Sequence, residues 1–304
     1  MTRTRSIVVI GRHGQLAREL AALTWPRDCL PHFLGRGEID LFSPTLAHNQ
    51  LSALRPLAIV NTAAYTAVDA AETEPELAHL LNAELPLRLG NLALRLDVPL
   101  LHVSSDYVFD GSAGAPYPES TVPRALSHYG RTKLAGDIAL LDSPADVVVV
   151  RSAWLFGWQG RNFMKTILAR AAASPILRVV NDQVGSPTPA AVLAATLRDL
   201  ALDLVAGKPL PRLLHFAGSP ATNWHDFAAA ILQAFHGAGH LAGLPQLQAI
   251  ASCEYPALAR RPAMSALDSG LAARLGYPTP DWRAALAALA RNRHRPAISA
   301  RMVA

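Results

Sequence analysis

Short continuous apolar runs alternate along the chain with longer stretches whose apolar residues recur at helical spacing. "SIVVIG" is followed by "QLARELAALTW", "LAIVNTAA" by "ELAHLLNAELPLRLGNLALRL", "PLLHVSSDYVF" by "YGRTKLAGDIALL", and "DVVVVRSAWLFG" by "NFMKTILARAAA". Strand followed by helix, repeated, predicts a parallel sheet with helices on both faces, because parallel strands need crossovers that cover the sheet. The uninterrupted apolar run Val147 to Val150 suits a strand buried on both sides. The pattern predicts a doubly wound α/β fold.

Beyond Phe156 the alternation loosens. Pro-containing loops, "GSPTPA", "GKPLPR" and "EYPALARRPA", separate helical stretches such as "NWHDFAAAILQAF". Residues 1–156 are therefore expected to form the sheet domain, with a segment near 189–217 returning to it. Residues 157–304 are expected to form mainly a smaller lobe over the carboxyl edge of the sheet, where such folds bind ligands.

Composition narrows the class. Hydrophobic residues are 51% and charged residues 17%, yet no apolar run approaches the roughly 20 residues of a membrane span. The first residues, "MTRTRSIVVIGRHG", reach a Gly-rich turn after a short apolar run with no small-residue cleavage site, so they read as a buried strand and a cytoplasmic location is expected. Cys29 and Cys253 lie far apart without metal-ligand spacing, and the histidines, His102 and His128 included, show no HxxxH or HExxH pattern. The net charge of +5 sits at the ends: without the four arginines of the tail 291–304 and without Arg3 and Arg5 it becomes −1. No nucleic-acid partner is expected, and the tail is expected to be flexible and solvating.

Against this background a few positions carry chemistry. In "SHYGRTKLAG", Tyr129 and Lys133 are one helical turn apart and share a face. A surface helix would place them so too; alternatively, an ammonium beside a phenol makes a proton donor, because a nearby positive charge favours the ionised phenol. The first strand-to-helix turn presents Gly11 and Gly14, with Ala17 further on, small residues that let backbone amides approach a pyrophosphate. An ordinary tight turn would use such residues too; the position at the first strand-to-helix junction favours a dinucleotide site, as in a Rossmann fold. Asn61 to Thr66, with Ala63 among them, are expected to line the cofactor crevice, while Asp69 and the acids after it begin the next helix, Glu72 and Glu74 complementing its N-terminal charge. "HVSSDYVFDG" ends the fourth strand with Ser104, Ser105 and Asp106, and Ser105 precedes Tyr129 by 24 residues. A hydroxyl, a phenol and an ammonium are thereby expected to converge.

The segments "GRHGQLA", "VNTAAYTAVDAAE", "SSDYVFDG", "YGRTKLAGD", "RSAWLFG", "NDQVGSPT" and "ARRPAMSALD", in order over nearly the whole chain, resemble the extended short-chain dehydrogenase/reductases, and within them the branch acting on a dTDP-linked 4-keto-6-deoxy sugar. The resemblance implies that Tyr129 is the general acid, that Lys133 orients the nicotinamide ribose and lowers the Tyr129 pKa, and that Ser105 hydrogen-bonds the reacting oxygen. Ser stands where the family usually has Thr. It assigns Gly14, Gln15 and Leu16 to the pyrophosphate turn, Asp40 and Leu41 to the adenine side, and Ala64, Tyr65 and Thr66 to the nicotinamide crevice. It places Trp154 against the sugar ring, with Asp106, Tyr107, Asn162, Lys165 and Arg261 as further substrate contacts. Some relatives are metal-bridged dimers; Ala191 stands where an acid is wanted, so no metal is expected, and the homodimer is left open.

The implied reaction is reduction of dTDP-4-dehydro-β-L-rhamnose at C4. Arg36, after the second strand, is positioned for a 2′-phosphate, so NADPH is the expected cofactor, with NADH as the alternative. Two competing readings share the fold: a nucleotide-sugar epimerase or dehydratase, with no net consumption of reduced cofactor, and a non-catalytic subunit, against which the intact Ser105, Tyr129 and Lys133 set argues.

Overall fold

The computed structural model of the chain describes residues 6–292; the basic head and the tail beyond Asn292 lie outside the described residues. The first half alternates as read: β1 (Ser6–Ile10), α1 (Gln15–Ala21), β2 (Leu30–Leu34), α2 (Pro44–Leu54), β3 (Pro56–Asn61), α3 (Pro75–His79), α4 (Leu85–Leu96), β4 (Leu100–Ser105), α5 (His128–Leu141) and β5 (Val147–Ser152). The second half has β6 (Leu155–Phe156), α6 (Phe163–Ala173), β7 (Ile176–Val180), β8 (Val184–Gly185), β9 (Thr188–Pro189), α7 (Ala190–Val205) and β10 (Leu213–His215). It ends with β11 (Thr222–Asn223), α8 (Trp224–Gly237), β12 (Gln246–Ile250), α9 (Gly270–Arg274) and α10 (Trp282–Arg291).

Six strands form one parallel sheet in the order β10-β5-β4-β3-β1-β2. Successive strand residues point to opposite faces, and both faces are apolar. Ile7, Val9, Val60, Val148 and Val150 pack on one side with Leu16 and Leu20 of α1 and Leu193 and Leu197 of α7. Val8, Ile10, Ile59, Val147 and Val149 pack on the other with Leu51 of α2, Leu89 and Leu92 of α4, and Leu140 of α5. Each fully buried aliphatic side chain contributes about 1.5–3 kcal/mol, so the doubly wound sheet is fixed by its apolar runs. A separate core, around Phe156, Met164, Ile167, Phe227, Ile231 and Trp282, holds much of the second half together.

The strand order reverses between β1 and β3, which opens a crevice at their carboxyl ends. Helix α5 is pressed against the elements that border it. A Cβ on Gly130 would lie 2.2 Å from the Tyr107 carbonyl oxygen, and one on Gly136 would lie 2.1 Å from that of Asn82. Asn82 belongs to a π-helical turn, Leu80–Glu84, and its amide bonds Tyr65 N (2.9 Å), Tyr65 O (3.0 Å) and Thr132 Oγ1 (3.1 Å). That side chain ties the segment after β3 to α5.

The acids after β3 begin helical turns as expected, Asp69 at the N-cap of the short 3-10 helix Ala70–Glu72 and Glu74 at that of α3. Their side chains bond elsewhere: Asp69 accepts from Leu258 N and Ala259 N, and Glu72 from His128 N at the start of α5. A carboxylate still meets a helix N-terminus, but on a neighbouring element. Among the described residues no helix is long and apolar enough to cross a membrane.

Candidate active site

Tyr129 stands in the first turn of α5, which begins where Ser127 caps Gly130 N at 3.1 Å. Its ring meets the edge of Tyr107 at 5.5 Å between centroids, and its phenol hydrogen-bonds Ser105. Ser105 Oγ donates to Asp106 Oδ1 (3.0 Å) and accepts from Tyr107 N (3.2 Å). The structure thus brings Ser105, Asp106, Tyr107 and Tyr129 together. Burial pushes the Asp106 carboxyl up to about 6, against hydrogen bonds from Ser265 and Ser105. Tyr107 is pushed up by burial as well.

Lys133 lies on the same helix face, but its ammonium does not lower the Tyr129 pKa here. Burial raises the phenol to about 12, with Ser105 pulling the other way and Asp106 and Asp137 adding to the rise. Lys133 Nζ points to the strand behind it, donating to Val103 O at 2.9 Å and lying 3.3 Å from His102 Nε2. Burial pushes Lys133 down to about 8, with Asp137 opposing. Asp137 in turn pairs with buried Arg151 of β5 at 2.9 Å.

At the first turn, Gly11 adopts φ +104° and runs so close to Thr62 that a Cβ would lie 2.6 Å from its Oγ1; a side chain is excluded there on both counts. Gly14, the N-cap of α1, faces open space instead. Beside it the buried Gln15 Nε2 has no hydrogen-bond partner, an orphaned donor suited to a phosphate oxygen. A helix N-terminus, an open glycine and a free donor fit a dinucleotide pyrophosphate. Leu16 and Leu41 are core residues, so only their backbone is available to a cofactor. Asp40 accepts from Phe42 N at 3.0 Å, Ala63 N donates to Asn61 Oδ1, and Tyr65 OH donates to Glu74. Thr66 is exposed. Past β2, Arg36 is exposed, whereas Glu38 accepts from Gly35 N and pairs with Arg12 of the glycine turn.

On the substrate side, a cavity of about 610 Å³ opens between α6, α8 and the loop 252–261. Sequence reasoning missed most of its lining: Phe163, Arg170, Arg178, Trp224, Tyr255 and Arg260. These come from segments far apart in the chain, and no local spacing marks them. Arg261 also lines it and reaches Tyr107, which joins the cavity to the proton donor. Its guanidinium, however, is held by Asp69 at 2.7 and 3.2 Å, so the expected diphosphate contact is already partnered.

Trp154 is half-buried with φ +45°, stacked on Trp224. Asn162 and Lys165 are not brought to the cavity. Asn162 caps α6 and donates to Gly157 O, and Lys165 Nζ donates to Gly160 O at 2.7 Å. Helical phase explains this: Phe163 and Thr166 take the cavity side of α6, which turns the positions before each of them toward the loop 157–160.

A Rossmann sheet with a serine at a strand end and a YxxxK helix beside the nucleotide turn defines the short-chain dehydrogenase/reductase class of oxidoreductase. The sequence matches the RmlD substrate binding domain family over residues 5–294. A dTDP-4-dehydrorhamnose reductase of Aggregatibacter actinomycetemcomitans is 35% identical over 283 residues, 92% of this chain and 96% of the relative. The crystal structure of a dTDP-4-dehydrorhamnose reductase from Clostridium acetobutylicum superposes with a TM-score of 0.84 at 29% identity, covering 93% of this chain and 98% of that one. One from Bacillus anthracis, solved in complex with NADP, gives 0.84 at 26% identity, covering 94% and 98%. The chain belongs to the RmlD family.

Proposed function

We propose that the chain reduces the C4 keto group of dTDP-4-dehydro-β-L-rhamnose with NADPH, yielding dTDP-L-rhamnose. The observation that carries this reading is the protonated Tyr129 phenol, bonded to Ser105 and linked through Tyr107 and Arg261 to an arginine-lined cavity. The names of the relatives and the NADP bound to the Bacillus anthracis structure support substrate and cofactor.

Reduced nicotinamide, when bound in the crevice, supplies the hydride. Tyr129 donates its proton to the C4 oxygen, where negative charge would otherwise build, and Ser105 orients that oxygen. Lys133 engages the ribose hydroxyls. Gly14, Gln15 and the N-terminus of α1 hold the pyrophosphate. Trp154 offers an apolar face to the deoxysugar, and Arg178 and Arg260 supply the planar forks that suit a diphosphate. Residues 1–156 act as the dinucleotide domain, joined by 189–217, and 157–304 as the substrate lobe. The pairing of β10 with β5 and the packing of α7 on the α1 face support that division. Cys29 and Cys253 are not joined in a disulfide, which suits the reducing cytoplasm.

The test is incubation of the purified protein with dTDP-4-dehydrorhamnose and NADPH, following cofactor absorbance and the product sugar. Stoichiometric NADPH oxidation with formation of dTDP-L-rhamnose is expected. An isomerised sugar without net NADPH oxidation would assign the chain to the epimerases instead.

A further inference from the structure

His102 is fully buried in β4, and no step above uses it. Its hydrogen bonds fix where its proton lies. Ala63 N donates to Asn61 Oδ1 at 3.1 Å, so the other end of that amide, Nδ2, donates to His102 Nδ1 at 2.9 Å. Complete burial holds the ring neutral. A neutral imidazole whose Nδ1 accepts must carry its one proton on Nε2.

Nε2–H therefore faces Lys133 Nζ, 3.3 Å away, while Nζ donates to Val103 O. An ammonium has three donors and no acceptor, so it has nothing to offer that N–H. An amine has a lone pair and completes the bond. We propose that Asn61 and His102 form a tautomer lock that favours the neutral amine of Lys133 over the ammonium while Nζ rests against Val103 O. Turning Nζ to a cofactor ribose hydroxyl then takes up one proton from solvent, converting –NH₂ to –NH₃⁺. His102 and Asn61 are positioning residues, acting through Lys133.

The groups around this amine agree. From its own helix come Tyr129, one turn before, and Asp137, one turn after; Asp137 favours the ammonium, but Arg151 of β5 engages the same carboxylate. From β4 comes His102, with Asn61 of β3 behind it. The depressed Lys133 pKa, about 8, is in the same direction.

The inference rests on the cofactor reading above. The experiment is calorimetric titration of the full chain with NADPH in buffers of different ionisation enthalpy at pH 8.5, well above the phosphate titration near pH 6. Wild type is expected to take up roughly half a proton or more per site, and its NADPH affinity to fall up to about tenfold from pH 7 to 9. Asn61→Asp presents an acceptor to Nδ1 at unchanged size, moves the imidazole proton to Nδ1 and frees Nε2 to accept from the ammonium. Uptake should then drop close to zero and the affinity change should shrink to less than about twofold. NADPH binding without buffer dependence in wild type overturns the lock and leaves the cofactor reading standing, whether or not the variant folds. Undiminished uptake in Asn61→Asp assigns the proton to another group and overturns it too. Absence of NADPH binding overturns both.

Discussion

The indole of Trp154 lies on that of Trp224 with ring centroids 3.3 Å apart and planes 5° from parallel. Trp154 adopts a left-handed φ of +45°, a conformation that costs a bulky residue about 1–3 kcal/mol and persists only when its surroundings enforce it. Gly185 helps to enforce it, since a Cβ there would lie 2.2 Å from the indole Cε2. Trp224 lines the large cavity, which puts Trp154 one ring away from its wall. Trp154→Ala is expected to raise the KM for the sugar nucleotide about 5- to 150-fold, corresponding to about 1–3 kcal/mol by analogy with aromatic stacking elsewhere. The Kd for NADPH should not move. A destabilised variant with an unchanged KM would make Trp154 a packing residue only.

The Tyr129 phenol, raised to about 12, is protonated throughout the neutral range and ready to donate. Tyr129→Phe keeps the ring against Tyr107 and removes only the donor. Turnover is expected to fall at least about a hundredfold, with kcat and kcat/KM falling together and NADPH affinity nearly intact. Single-turnover kinetics with saturating NADPH isolate this step. Reduction at near wild-type rate would exclude Tyr129 as the acid.

How legible these features were depends on the distance in sequence over which each is specified. The strands were readable because Val147 to Val150 and Ile7 to Ile10 are uninterrupted apolar runs, and the shared face of Tyr129 and Lys133 follows from one helical turn. The direction in which Lys133 Nζ points was not readable, because it depends on how closely α5 packs on β4, set by Gly130 and Gly136. That Phe163 rather than its neighbour Asn162 lines the cavity was not readable for a similar reason: adjacent positions at the start of α6 differ by about 100° of helical phase, and tertiary packing selects the phase. The aromatic and arginine lining of the cavity joins α6, α8 and the loop 252–261, which only the folded lobe brings together.

Cofactor choice turns on charges at the end of β2. Glu38 is held there by Gly35 N and Arg12, and Arg36 is exposed, so a 2′-phosphate bound at this end would meet one charge of each sign. Arg36→Ala is expected to lower the NADPH-to-NADH ratio of kcat/KM about ten- to a hundredfold, the range of one charge-assisted contact of roughly 1.5–3 kcal/mol. Glu38→Gln should raise the same ratio by removing the repulsion. If Arg36→Ala leaves the ratio unchanged, Arg36 is not at the phosphate.

Three buried groups set the acid stability of the fold, and their signs differ. His215 is pushed down to about 3 by burial and the neighbouring Arg151, and His102 well below its ordinary range by burial and Lys133. Each is neutral in the fold and charged in the unfolded chain below about pH 6.5, so the stability it contributes is lost as pH falls. Asp106 works oppositely: with a folded pKa of about 6 against 3.8 unfolded, it binds a proton in the fold that the unfolded chain lacks between those values. Its contribution is therefore present at low pH and lost as pH rises through about 6. Glu19, also raised by burial, acts in the same sense as Asp106. The two histidines outweigh Asp106, so urea denaturation should show stability declining from pH 7 to 5. Asp106→Asn removes the opposing proton and should steepen that decline, by about 1.4 kcal/mol per pH unit between pH 6 and 4. Relative to wild type the variant then gains about 2 to 3 kcal/mol on going from pH 4 to pH 7. Parallel stability curves for the two proteins would show that Asp106 titrates near its unfolded value, and would remove the buried, protonatable carboxyl from the site.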